Sequence, residues 1–158
     1  MNAATPQIFN VRVYGILVEN ARVLVSDEFI RGAYITKFPG GGLEFGEGTR
    51  ECLQREFMEE TGMEVTVGEH LYTTDFYQRS AFNPAHQIIS IYYQVHPVHP
   101  ITLLTKEKVF DFEPHQVADK RGECEVFRWI PLDNLTEEDL TLPIDKIVVG
   151  IVKNKLFE

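Results

Sequence analysis

Cysteine is scarce in this sequence: Cys52 and Cys124 stand alone and far apart. Two such residues make neither a disulfide framework nor a zinc knuckle, and they point to a reduced, cytoplasmic setting. Positive charge is short as well, with 15 Lys and Arg against 24 Asp and Glu and a net charge of −9. Sequence-independent nucleic-acid binding needs a basic face that releases counterions, so no nucleic-acid partner is expected. A small anionic ligand is still admitted if a metal or a few placed cations offset the repulsion. No apolar run approaches the roughly 20 residues of a membrane helix, and the start MNAATPQIFN has no signal-peptide core. A soluble protein with no membrane partner is expected. Internal repeats and low-complexity tracts are missing, and no G-x-G-x-x-G follows a strand to open a helix.

What is present suits one globular domain spanning residues 1–158, with 44% hydrophobic and 25% charged residues. The apolar run Ile8 to Val18 and the short run Val23 to Val25, around a turn at Glu19-Asn20, read as paired strands. Ser26 to Tyr34 is less regular and contains Gly32, so it reads as a loop. Pro39 to Gly42 stops any regular element and starts a tight turn. Thr49 to Thr61 reads as a helix, with Thr49 as N-cap, Gly62 as the left-handed residue past its end, and Leu53 and Phe57 facing the core.

Glu64 to Tyr77, with a turn near Gly68-Glu69, and Gln87 to Val95 read as strands, with a loop from Gln78 to Ala85. Pro97 to Glu123 loses periodicity, and a connection of that length is usually functional or mobile. Val126 to Ile130 reads as a strand. Pro143 then opens a helix whose stripe Ile144, Ile147, Val148, Ile151 and Val152 docks on the core. Only two long helices accompany the strands, which makes the chain α/β and layered rather than doubly wound.

The chemistry concentrates on the first helix. At about 100° per residue, with Cys52 as zero, Glu59 falls near −20°, Glu56 near 40° and Glu60 near 80°. Three carboxylates on one arc repel one another, and Arg55 alone cannot neutralise them. A hard divalent cation can, because carboxylate oxygens are the ligands that Mg²⁺ and Mn²⁺ prefer. In the glycine turn the backbone approaches a ligand closely, so the carbonyl of Gly40 or Gly41 is available to the same ion. Such a pocket suits phosphoanhydride hydrolysis, with one glutamate as general base. Taken singly, the glutamates also read as a solvated face and the glycines as a plain turn.

From Gly41 the chain reads GGLEFGEGTRECLQREFMEETGM. It fits G-x5-E-x7-R-E-U-x-E-E-x-G-U, where U is a bulky apolar residue, at Gly41, Glu47, Arg55, Glu56, Phe57, Glu59, Glu60, Gly62 and Met63. At ordinary residue frequencies such a match arises by chance on the order of once in 10⁷ chains of this size. The chain thereby resembles the Nudix hydrolase family, whose signature box this is; Phe57 stands where the family more often has Leu, Ile or Val.

The resemblance implies an α/β/α sandwich with a mixed sheet flanked by the box helix and a C-terminal helix. It implies hydrolysis of a nucleoside diphosphate linked to another moiety: a nucleoside triphosphate, ADP-ribose or a nucleotide sugar. Glu56, Glu59 and Glu60, with the Gly40 carbonyl, would hold Mg²⁺ or Mn²⁺. Arg55 and Glu47 would pair and steady them, and Glu56 or Glu59 would serve as base. A further acid often precedes the late tryptophan strand. Glu123 is favoured here, with Glu125, Asp111 and Glu113 as alternatives.

Gly41, Gly42, Tyr34 and Phe82 are candidate substrate contacts, although aromatics at strand ends also read as core, as do Phe76 and Tyr77. His86 has no assigned direction, His96 and His99 read as a surface turn, and Cys52 as a packed thiol. Dimers are frequent in the family, so a homodimer is admitted, and the sequence leaves the oligomeric state open. The rival reading is a catalytically idle Nudix-like domain that senses a nucleotide; such modules lose box carboxylates, and this chain keeps them all.

Overall fold

A computed structural model describes residues 4–155; residues 1–3 and 156–158, the ends of the expected domain, lie outside the described residues. In chain order the elements are β1 (Ile8–Ile16), β2 (Val18–Glu19), β3 (Arg22–Ile30), β4 (Ala33–Lys37), β5 (Gly40–Gly42), α1 (Thr49–Thr61), β6 (Val65–Thr73), β7 (His86–Pro97), β8 (Glu123–Pro131) and α2 (Pro143–Asn154). Among the described residues the chain is α/β with two long helices, as expected, and the strands form two four-stranded sheets. It divides into two compact units, one gathering residues 4–15 and 40–98, the other 16–39 and 99–155. Among the described residues no helix is long and apolar enough to cross a membrane.

The first unit holds the sheet ordered β5-β1-β7-β6 together with α1. Antiparallel pairing of Arg12 with Gly42, Val13 with Gly41 and Tyr14 with Gly40 lays the glycine segment along β1. The helix occupies the span its sequence predicts. Its cap is Gly48 rather than Thr49: the Gly48 N–H donates to Glu51 Oε1 at 3.1 Å, so the capping carboxylate comes from inside the helix. Gly62 ends it at φ 69°, where a glycine carries no Cβ penalty. Cys52, Leu53 and Phe57 form its buried side. A Cβ on Gly15 of β1 would lie 2.6 Å from Phe57 Cε2, so this ring rests directly on the strand backbone. The turn expected near Gly68-Glu69 is instead a register shift between Val67 and His70 inside a continuous β6, a bulge that accommodates the glycine without ending the strand.

In the second unit, β3 is the central strand. β8 pairs along its whole length, from Arg22↔Pro131 to Ile30↔Glu123, while β2 and β4 share its other edge. A parallel bridge, Lys106↔Arg128, adds mixed character beside β8. Two expectations change here. The run from Ile8 does not pair with Val23 to Val25 as a whole: β1 goes to the other sheet, and only Val18 and Glu19 pair with β3, around a turn at Asn20 and Ala21 (φ 53° and 57°).

Residues 26–34 are not a loop but a hairpin, turning at Arg31 and Gly32 with φ 49° and 85°. Both turns have the paired positive φ that matches strand twist. The polar residues that made this stretch look irregular are satisfied by distant partners. Asp27, fully buried, accepts from Thr36 Oγ1 at 2.7 Å, from Arg128 Nε and Nη2 at 2.8 and 3.0 Å, and from the Phe110 N–H at 3.2 Å. On α2 the buried side is Ile144, Asp145, Val148, Val149 and Val152, whereas Ile147 is exposed. The docked stripe is therefore rotated toward Val149 from the one expected.

Candidate functional site

Local chemistry explains the shape of the box. Arg55 lies on α1 with its fork turned to Glu47, donating through Nε to Oε2 at 2.9 Å and through Nη2 to Oε1 at 2.7 Å. Nη2 also reaches the Gly42 carbonyl at 3.1 Å. Nη1 donates to Glu56 Oε1 at 2.9 Å and Glu59 Oε2 at 3.1 Å, and lies 3.8 Å from Glu44 Oε1. The expected Arg55–Glu47 pair is present in bidentate form, the strongest geometry available to a guanidinium. It holds the Glu47 carboxyl far below its ordinary range, at about 2, and pushes the Arg55 pKa further up. One guanidinium thus faces four carboxylates, those of Glu44, Glu47, Glu56 and Glu59.

The glycines bring backbone onto these carboxylates. A Cβ on Gly41 would lie 2.4 Å from Glu56 Cδ, so the Glu56 carboxylate packs on the bare backbone there. Gly40 has φ 152°, and a Cβ on it would lie 2.0 Å from the Val13 carbonyl oxygen, which excludes any larger residue. Gly42 has more room; its role is its carbonyl, which accepts from Arg55 and, at 3.5 Å, from Cys52 Sγ. Burial, aided by the nearby Glu47, pushes the Cys52 thiol up to about 12, so it is a packed neutral thiol as expected. Glu60 is half-buried and has a polar interaction of its own. Among the described residues no three His, Cys, Asp or Glu side chains come together as a metal-holding group. Glu56 and Glu59 are drawn to Arg55.

The remaining candidates fall as follows. Phe82 is half-exposed in a loop of the first unit, where Ser80 Oγ accepts from the N–H groups of Phe82 and Asn83. His86 is tied by its ring nitrogens to Asn10 and Asn83. In the second unit Glu123 is exposed at the start of β8, opposite Ile30. Glu125 lies directly opposite Glu28, and the Ser26 hydroxyl is 2.5 Å from Glu125 Oε2 and 3.2 Å from Glu28 Oε2. Lys37 Nζ stands 3.0 Å from Glu28.

Glu28, Lys37 and Ser26 were missed by sequence reasoning, which treated most of their stretch as a loop. The available signal was three polar residues, Ser26 to Glu28, following the apolar run Val23 to Val25. Asp111 and Glu113 are exposed in the long connection, Asp111 at the centre of a turn closed by the Phe112 N–H and the Phe110 carbonyl. Tyr34 lies among Phe29, Phe110 and Phe112.

A family model of the NUDIX domain matches residues 9–149. The chain belongs to the NUDIX family. Family membership with every box residue in place makes it a Nudix hydrolase. Solved structures share the Nudix fold. The solution structure of the E. coli ORF135 protein superposes with a TM-score of 0.64 at 18% identity, covering 92% of this chain and 89% of that one. A NUDIX hydrolase from Nitrosomonas europaea gives 0.61 at 20% identity, covering 90% and 87%. A UDP-X diphosphatase gives 0.55 at 19% identity, covering 97% of this chain and 62% of its own.

Proposed function

We propose that this Nudix hydrolase cleaves a phosphoanhydride bond in a nucleoside diphosphate linked to another moiety, with Mg²⁺ or Mn²⁺ as cofactor. The observation that carries the reading is the Arg55 network, in which one cation faces four carboxylates beside a bare glycine backbone. The donor chemistry fits the ion: Glu56, Glu59, Glu60 and the Gly40 carbonyl offer the hard oxygens that Mg²⁺ and Mn²⁺ take. Gly41 makes the room, since any side chain there would displace the Glu56 carboxylate. Bound to these residues, the ion supplies charge neutralisation of the diphosphate and a more acidic attacking water.

The chain's own residues do the rest. Arg55 orients Glu56 and Glu59 through Nη1, and Glu47 anchors Arg55 by both nitrogens of its fork. Glu56 or Glu59 accepts the proton of the water that attacks phosphorus. Glu123 is an additional ligand in this reading. Gly41, Gly42, Tyr34 and Phe82 contact substrate. Nucleoside triphosphates, ADP-ribose and nucleotide sugars form the substrate class, and the likeness in fold to a protein named UDP-X diphosphatase supports the diphosphate-linked part of it.

The family model running across both units supports one domain. Free Cys52 and Cys124 support a cytoplasmic setting, and exposed Ile8 and Phe9 support a homodimer. Sedimentation of protein from a cytosolic fraction tests the last two, and a monomer retires the dimer.

The deciding experiment is product release from a nucleotide panel with Mg²⁺ or Mn²⁺, native protein against Glu59→Gln. Native turnover with a fall of about 10²–10⁴ in the variant is expected if Glu59 is the base, with Glu56→Gln taking that place otherwise. Tight binding of one nucleotide with no turnover across the panel would replace the hydrolase reading with that of a sensor.

A further inference from the structure

Phe110 has φ 53°. A bulky residue in the left-handed region is a genuine outlier, and it persists where the surroundings over-determine it. Here they do. The Phe110 N–H donates to Asp27 Oδ2 at 3.2 Å, and Asp27 is itself held by Arg128 and Thr36. Two residues on, the Phe112 N–H donates to the Phe110 carbonyl at 2.9 Å and closes a three-residue turn.

The product of this constraint is a group of rings. Phe110 meets Tyr34 edge-on at 5.3 Å between centroids, Phe112 lies 6.2 Å from Tyr34, and the two phenylalanines are nearly parallel at 6.4 Å. Phe29 backs Tyr34 from the neighbouring strand at 5.1 Å. Burial alone does not account for the arrangement, because Tyr34 keeps 47% of its surface exposed.

We propose that Tyr34, Phe110 and Phe112 form a stacking platform for the nucleobase of a bound nucleotide. A half-exposed aromatic ring is a surface on which planar heteroaromatic rings stack. Carboxylates on the same segment suit the ring end of a nucleotide better than its phosphates. Exposed Asp111 lies between the two phenylalanines and exposed Glu113 follows; carboxylates repel phosphates and accept from the N–H donors of a base. The inference deepens the proposed function and rests on it for the ligand being a nucleotide.

The test titrates native protein and Phe110→Gly with nucleoside monophosphates and with ribose 5-phosphate, in EDTA, by calorimetry. Glycine suits the backbone at φ 53°, so this variant removes the ring and leaves the turn, which an unchanged or higher melting temperature verifies. Native protein should bind nucleotides at least tenfold more tightly than ribose 5-phosphate, and Phe110→Gly should weaken nucleotide binding about tenfold. Tyr34→Leu should do the same and serves if the glycine variant does not fold.

Equal binding of ribose 5-phosphate, undiminished nucleotide binding by a folded variant, or no nucleotide binding by native protein overturns the platform. Base-dependent binding without hydrolysis would leave the platform standing and remove the proposed activity. Hydrolysis indifferent to the base would do the reverse.

Discussion

The two units carry polar networks of opposite sign. In the first, a guanidinium is the hub and carboxylates surround it: Arg55 faces Glu44, Glu47, Glu56 and Glu59. In the second, a carboxylate is the hub and donors surround it: Asp27 takes Arg128, the Thr36 hydroxyl and the Phe110 amide. Their charge balances differ. Asp27 and Arg128 cancel and are sealed, with side-chain exposures of 0% and 12%. The Arg55 network has an excess of negative charge and is open on one side, with 58% of the Glu59 side chain exposed. A balanced, sealed network holds chains together; a surplus at the surface is available to a cation. Stability is expected to rest on the Asp27 cluster and the proposed chemistry on the Arg55 cluster, and substitutions can separate them.

The largest effect on stability should come from the second unit. Arg128→Ala leaves Asp27 buried without its counter-charge and should cost about 3–5 kcal/mol, read as a lower urea midpoint. Adding Asp27→Asn should recover part of the loss, and a cost below about 1 kcal/mol would mean that the pair does not seal this sheet. Gly41→Ala should invert the pattern. Its new methyl overlaps the Glu56 carboxylate, the end of a rotatable side chain. Melting should shift by less than about 1 kcal/mol, while turnover falls tenfold or more because the carboxylate is moved. Normal turnover would show that Glu56 need not lie against the glycine backbone.

The smallest effect concerns acid. The folded Glu47 carboxyl has a pKa of about 2 against an ordinary 4.5. A depressed folded pKa contributes stability that is complete above about 4.5 and is lost as pH falls from there toward 2. Glu47→Gln should therefore flatten the decline of the urea midpoint between those values. An unchanged acid profile would assign that decline to other carboxylates.

Much of the first unit was legible in sequence because its determinants are local. The span of α1 follows from a glycine immediately beyond it and apolar residues four apart. The box residues lie close enough in sequence for their spacing to identify the family. Even there the cap lies at Gly48 rather than at the expected Thr49, with the Gly48 N–H donating to Glu51. The second unit was less legible because its partners are remote. Asp27 and Arg128 are 101 positions apart, and without that pairing the stretch Ser26 to Tyr34 has the polarity of a loop. The cross-strand pair Glu28 and Glu125 is hidden for the same reason. On α2 the missed element was rotation: periodicity identified the helix, while packing selected Val149 over Ile147.

Phe57 lying on the bare backbone of Gly15 has a mechanical consequence. A flat ring pressed against a strand with no intervening methyl acts as a keyed bearing that pins the box helix at one point along β1. Sliding is blocked there, so adjustment to the proposed ion would fall to the outer torsions of the glutamates. The tightness of the proposed centre would then be inherited from a hydrocarbon contact on the buried side of the helix, and a change in that contact would shift the carboxylates without touching a single charge.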